Sequence, residues 1–190
     1  MERGCAKIRR QSLRLREYNY ASPGAYFITI CTKDRLSLFG DITKGNMRLT
    51  EYGRIVFQEW EISTKIRQEI TLDAFVVMPN HLHGIIFIEE SNVGATGWSP
   101  SRSGPRRRSL GSFLSGFKSA TTRQINELRQ TPGLLVWQRK YYEHVIRDER
   151  SLHRIREYIA GNPARWDVDR ENPVAEKPEP KDAWRREITM

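Results

Sequence analysis

Apolar residues along this chain change their spacing from segment to segment, and the changes predict the elements. Residues 25–32 (AYFITICT) are aromatic and β-branched, which suits a strand. The stretch 37–49 carries Gly40-Asp41 and Lys44-Gly45-Asn46, so short strands around turns are expected there. After Thr50, an N-cap residue type, Ile55, Val56 and Trp60 fall on one helical face, predicting a helix over about 50–66. Residues 70–77 and 81–88 are apolar runs of strand length. They are separated by Pro79-Asn80, a bend, because proline cannot donate to a ladder. Leu110, Phe113, Leu114 and Phe117 recur at helical spacing, so a helix is expected to about Arg129. A strand over 136–147 follows, then a helix from Glu149 to about Gly161, capped by Asp148 and halted at Asn162-Pro163. The order β-α-β-β-α-β predicts an α+β class. Its form is a ferredoxin-like or RRM-like antiparallel sheet with helices on one face, plus one extra C-terminal helix.

Composition then divides the chain. Its 190 residues suit one domain with a core. Residues 1–20 are a basic arm with Arg9, Arg10, Arg14 and Arg16, and 21–169 are the folded domain. Within that domain 90–108 is a loop rich in Gly, Ser and Pro, carrying Arg102, Arg106, Arg107 and Arg108. From 170 to 190 the chain is proline-rich and charged, which predicts a tail with little core. The formal net charge is +9, and its clustering favours a polyanionic partner, nucleic acid before a membrane surface. Two cysteines, Cys5 and Cys31, allow no disulfide framework or cysteine–zinc motif. No apolar run is long enough for a membrane span, and a cytoplasmic location is expected.

The most apolar region contains the candidate chemistry, Met78-Pro79-Asn80-His81-Leu82-His83-Gly84. On a strand, residues i and i+2 share a face, so His81 and His83 would lie side by side, able to hold a metal. The alternative is two histidines bonded to carbonyls. Amidohydrolase barrels use such a pair but need far more chain. Metallo-β-lactamase-type sites need more histidines and aspartates nearby, and histidine-triad hydrolases need a third histidine where Ile85 stands. Further along, Tyr158 and Asn162 are i and i+4 on a helix. Alone they read as a packing tyrosine and a cap before Pro163. A tyrosine hydroxyl, with a pKa near ~10, is a poor nucleophile. A divalent metal polarising a phosphate would make its attack feasible, with Asn162 supplying an oxygen one turn away.

Taken together, Met-Pro-Asn-His-Leu-His before an apolar strand and Tyr158-Ile159-Ala160-Gly161-Asn162-Pro163 resemble the REP-associated tyrosine transposases, members of the HUH single-strand endonucleases. Residues 23–32 and 137–147 resemble the same family, and the likeness covers about 12–167. It implies that His81 and His83 hold Mg²⁺ or Mn²⁺, with Asn162 in the place of the third ligand. It also implies that Tyr158 attacks a DNA phosphate, leaving a 5′-phosphotyrosine and a free 3′-OH. The partner would be single-stranded or hairpin DNA of the palindromic REP kind. The protein would act as a monomer or homodimer. The arginines of the arm and loop, with Arg154, would grip the DNA backbone. Other HUH enzymes, rolling-circle initiators and relaxases, and a non-catalytic ferredoxin-like nucleic-acid-binding module are the rival readings.

Overall fold

The computed structural model describes residues 22–89, 109–180 and 182–185. The arginines of the arm (Arg9, Arg10, Arg14, Arg16) and of the loop (Arg102, Arg106, Arg107, Arg108) lie outside the described residues. Among the described residues six strands and three α-helices follow in the order β1 (Gly24–Cys31), β2 (Gly40–Thr43), β3 (Asn46–Leu49), α1 (Glu51–Ile66), β4 (Ile70–Val77), β5 (His81–Ile88), α2 (Leu110–Leu128), β6 (Tyr142–Ile146) and α3 (Glu149–Gly161). The main sheet is antiparallel in the order β4-β5-β1-β6, which is the ferredoxin-like arrangement. β2 and β3 form a separate hairpin closed by Lys44 and Gly45, both at positive φ, as a two-residue turn requires.

Each helix starts where a side chain satisfies free backbone N–H groups. Thr50 accepts from Gly53 N, Ser109 and Ser112 form a reciprocal capping box, and Asp148 accepts from Ser151 N at 2.8 Å. The two central strands are buried on both faces. Tyr26, Ile28 and Ile30 of β1, with Leu82 and Ile86 of β5, pack against Val56 and Trp60 of α1 and Leu110, Phe113 and Phe117 of α2. The opposite face carries Phe27 and Ile85, covered by Leu152, Ile155 and Ile159 of α3. The extra helix therefore folds back across the sheet, on the side away from α1 and α2.

Two stretches differ from expectation. The strand foreseen over 136–147 is regular only from Tyr142. Val136 and Trp137 are buried and bond the chain just after β1, through Lys33 N to Val136 O at 2.7 Å and a Thr32–Trp137 bridge. Gln138 N still donates to Cys31 O at 2.9 Å, and residues 139–141 leave the ladder before pairing resumes at Thr29–Tyr142. The second stretch lies beyond residue 169, where prolines and charges suggest little core. Asn172, Ala183 and Trp184 are buried there, and Trp184 packs on Phe27 and His144. A lone tryptophan among charged residues gives no periodic signal, so sequence pattern cannot show it docking.

β5 is held tightly from the α1 side. Gly84 faces Trp60, and a Cβ at that position would lie 2.5 Å from Trp60 Cζ2. Replacing Gly84 by Ala therefore overpacks the layer. We expect a loss of about 1–3 kcal/mol in urea denaturation, since backbone stiffening offsets only ~0.5–1 kcal/mol. An unchanged unfolding midpoint would contradict this packing.

Candidate metal and tyrosine site

The tight bend at Pro79-Asn80 starts β5 and aims its first residues. Met78 N donates to His81 O at 2.8 Å, closing the hairpin. The bend is anchored from outside, since Pro79 O accepts from Phe39 N and Asn80 O from Thr32 N. Strand alternation then sends Leu82 into the α1–α2 core and turns His81 and His83 to the α3 side. Both rings are buried, with their Nε2 atoms 3.1 Å apart. The other nitrogens are taken: His81 Nδ1 meets Asn80 Oδ1 at 2.8 Å, and His83 Nδ1 meets Thr29 Oγ1 at 2.8 Å. Burial, with the Arg35 guanidinium nearby, pushes the His81 pKa down to about 3. Burial and neighbouring His81 do the same to His83, also to about 3. Both imidazoles are thus neutral at neutral pH, the state in which imidazole binds a metal.

α3 brings the remaining groups. Its apolar stripe of Leu152, Ile155 and Ile159 seats it on the sheet. Tyr158, next to that stripe, lies over His83 with ring centroids 5.3 Å apart and over Phe27 edge-on at 6.2 Å. The tyrosine therefore reaches the histidines of its own chain. Burial first, then the charges of Asp169 and Glu179, raise the pKa of its hydroxyl. Asn162, at the helix end, is buried beside both His81 and Tyr158, and its Oδ1 makes no well-formed hydrogen bond. Pro163 does not stop the chain. A 3-10 helix, Asn162–Val168, carries it back toward the histidines.

That return delivers Asp169, which sequence reasoning missed. The ligand atoms of His81, His83 and Asp169 all lie within 4.8 Å of one another. Asp169 Oδ1 accepts from Glu171 N at 2.6 Å, while Oδ2 is buried without a hydrogen-bond partner, 3.9 Å from His81 Nε2. Nothing in the order Asp167-Val168-Asp169 marks which acid turns inward. The cue would have been an acid within one short helix of Asn162. Beside these groups opens a cleft of about 260 Å³, whose walls include Tyr158, His83, Asp169, Arg35, Lys140 and Arg170.

The other candidates fall elsewhere. Arg154 lines a groove along β6 with Arg147 and Arg185, and it also donates to Ser151 Oγ. Arg156, on the same helix, binds Asp73, with Nε 3.0 Å from Oδ1. Asp73 sits where the β4–β5 register slips between Leu72 and Phe75, so this pair ties α3 to the irregular part of the edge strand. His153 is exposed and faces Glu157 one turn on, whereas His144 packs against Trp184. Tyr26 is a core residue whose hydroxyl donates to Ser22 O.

Comparison with known proteins fits this geometry. An uncharacterised protein of Haemophilus influenzae is 42% identical over 169 residues, covering 84% of this chain and 91% of that one. No protein-family model matches the chain. Among solved structures, a REP-associated tyrosine transposase bound to a REP hairpin superposes with a TM-score of 0.56 at 21% identity, over 82% of this chain and 74% of that one. A Deinococcus radiodurans structure, 19% identical over 77% of this chain and 95% of that one, reaches a TM-score of only 0.39 and carries no weight here. No helix among the described residues is long and apolar enough to cross a membrane. The chain belongs to the family of the Haemophilus influenzae protein and is built on the fold of the REP-associated tyrosine transposase.

Proposed function

We propose that this protein is a transposase that cleaves and rejoins single-stranded or hairpin DNA through a covalent link to Tyr158. His81 and His83 hold a divalent cation, Mg²⁺ or Mn²⁺, for that reaction. The observation that carries this reading is the convergence, within one chain, of a tyrosine and two neutral, paired imidazoles beside a cleft whose wall carries Arg35, Lys140 and Arg170 as well as Asp169 and Glu171. The DNA class comes from the transposase of similar fold, which is described bound to a REP hairpin. The net charge of +9 suits a polyanion.

The donor set fits a cation. Two buried oxygens, Asn162 Oδ1 and Asp169 Oδ2, lack hydrogen-bond partners beside the histidines, and such orphans carry a desolvation cost that ligation would remove. Asp169 is as well disposed to ligate as Asn162, and it brings a charge. Two imidazoles with oxygen donors favour Mn²⁺ over Mg²⁺, which prefers oxygen alone. When bound, the cation supplies positive charge against the phosphate oxygens.

The rest of the reaction falls to the chain. Lys140 and Arg170, with Arg35 held by Glu171 Oε2 at 2.9 Å, draw the phosphodiester into the cleft. The seat of Tyr158 on Phe27 and His83 restricts its ring to one approach. Its Oη forms a bond to phosphorus as the bond to the 3′ oxygen breaks. The phenolic proton is lost and the departing oxygen gains one, so no net proton is consumed. The phosphotyrosine keeps the phosphodiester bond energy, and rejoining runs the same steps backward from a 3′-OH. Arg154 tracks a flanking phosphate, as do the arginines of the arm and loop.

A labelled hairpin oligonucleotide incubated with the protein and Mn²⁺ is expected to give a covalent adduct on a denaturing gel. Tyr158→Phe should give none. His81→Ala should lower adduct formation by about 10²–10³-fold while leaving most DNA binding intact, and EDTA should abolish it. An adduct that survives in Tyr158→Phe removes the tyrosine from its role. One that survives in EDTA removes the metal.

The buried histidines also predict how the metal-free protein responds to acid. Their folded pKa values, about 3, lie below the ordinary 6.5, so the unfolded chain binds more protons in between. Stability should therefore fall as pH drops from about 6.5 toward about 3. His144, whose pKa burial and nearby arginines lower to about 4, adds in the same direction. Urea midpoints across this range, without metal, should slope less in a His81→Ala, His83→Ala double variant than in the wild type. Equal slopes would mean that the pair is not neutral in the fold.

A further inference from the structure

Asn80 is fully buried, and all of its side-chain hydrogen-bonding groups near the site are engaged. Its Nδ2 donates to two backbone carbonyls, Glu171 O at 2.7 Å and Arg35 O at 3.2 Å. A carbonyl can only accept, so this end of the amide must be the NH₂ group. The other end, Oδ1, therefore faces His81 Nδ1 at 2.8 Å, and Oδ1 can only accept. It follows that His81 carries its proton on Nδ1 and that its Nε2 is a bare lone pair.

Thr29 behaves differently toward His83. A hydroxyl can donate or accept, so the 2.8 Å contact with His83 Nδ1 does not by itself set that tautomer, and the Ile28 carbonyl is a further acceptor for the ring N–H. Holding a cation needs both Nε2 atoms bare. The His83 proton then resides on Nδ1, where the Thr29 hydroxyl can accept it.

The same amide reaches the carboxylate half of the site. Glu171, whose carbonyl Asn80 holds, donates its own N–H to Asp169 Oδ1 at 2.6 Å. That bond occupies one oxygen of Asp169 and leaves Oδ2 toward His81. We infer that Asn80 is a positioning residue with two jobs: it fixes the metal-competent tautomer of His81, and it clamps the Asp169–Glu171 turn onto the histidine pair. The inference rests on the metal-binding reading given above. Outer groups that orient ligating histidines commonly change metal affinity by about 10–100-fold when removed.

Two readouts test it. In the metal-free protein near neutral pH, imidazole ¹⁵N NMR should show His81 protonated on Nδ1 and bare on Nε2. In Asn80→Ala the two tautomers should mix, and titration with Mn²⁺ alone should show affinity reduced by about 10–100-fold. Asn80→Asp keeps an acceptor for Nδ1 but has no N–H to donate. It should retain the tautomer while the Glu171 amide exchanges faster with solvent. A wild-type His81 protonated on Nε2 overturns the inference. So does an Asn80→Ala protein with an unmixed tautomer and Mn²⁺ affinity within twofold of wild type, or an Asn80→Asp protein that folds yet scrambles the tautomer. If wild type binds no Mn²⁺, the metal reading fails. The NMR and amide-exchange results then still decide whether Asn80 sets the tautomer and holds the turn.

Discussion

The alternation of β5 between two covered faces is the constraint on which the rest depends. Its even-numbered residues, Leu82, Gly84 and Ile86, are committed to the α1–α2 layer, where Trp60 leaves no room for a side chain at 84. Its odd-numbered residues His81, His83 and Ile85 are thereby committed to the α3 layer. A slip of one residue would send both histidines into the apolar core and Leu82 into the cleft. The register of a central strand, paired on both sides, is what holds the two imidazoles 3.1 Å apart.

The α3 layer buries fewer apolar residues than the layer opposite, and this fits what it has to do. A stripe of three apolar residues and the Arg156–Asp73 pair hold the helix against the sheet. Tyr158 stands at its border with the cleft, and Asn162 is buried behind it with Oδ1 unpaired. Asn80 and Glu171 knit the far side of this site with backbone-directed bonds. Those bonds come from a bend and from an irregular return segment, which orient ligands more finely than an apolar contact does.

Much of this was legible in the sequence, because periodicity is a local property. The i, i+2 spacing places His81 and His83 together, and i, i+4 places Tyr158 with Asn162, with no reference to packing. The order of elements was enough for the sheet. What local pattern could not supply was the third dimension. Nothing in the spacing says that α3 crosses the face opposite α1 and α2, or that Asp169 rather than Asp167 turns inward. Arg156, one more cation in a basic helix, gives no sign in the sequence of its partner 83 positions away. Trp184 sits in a segment whose average composition argues against a core, and only tertiary contact with Phe27 reveals its burial.

Tyr158 and His83 face each other across 5.3 Å between ring centroids in a single polypeptide. Under the proposed function, this removes a concentration-dependent step from the chemistry. A site shared between two copies exists only when the copies meet, so its activity per molecule fades with dilution. A site completed within one chain keeps the same local molarity of tyrosine however scarce the protein becomes.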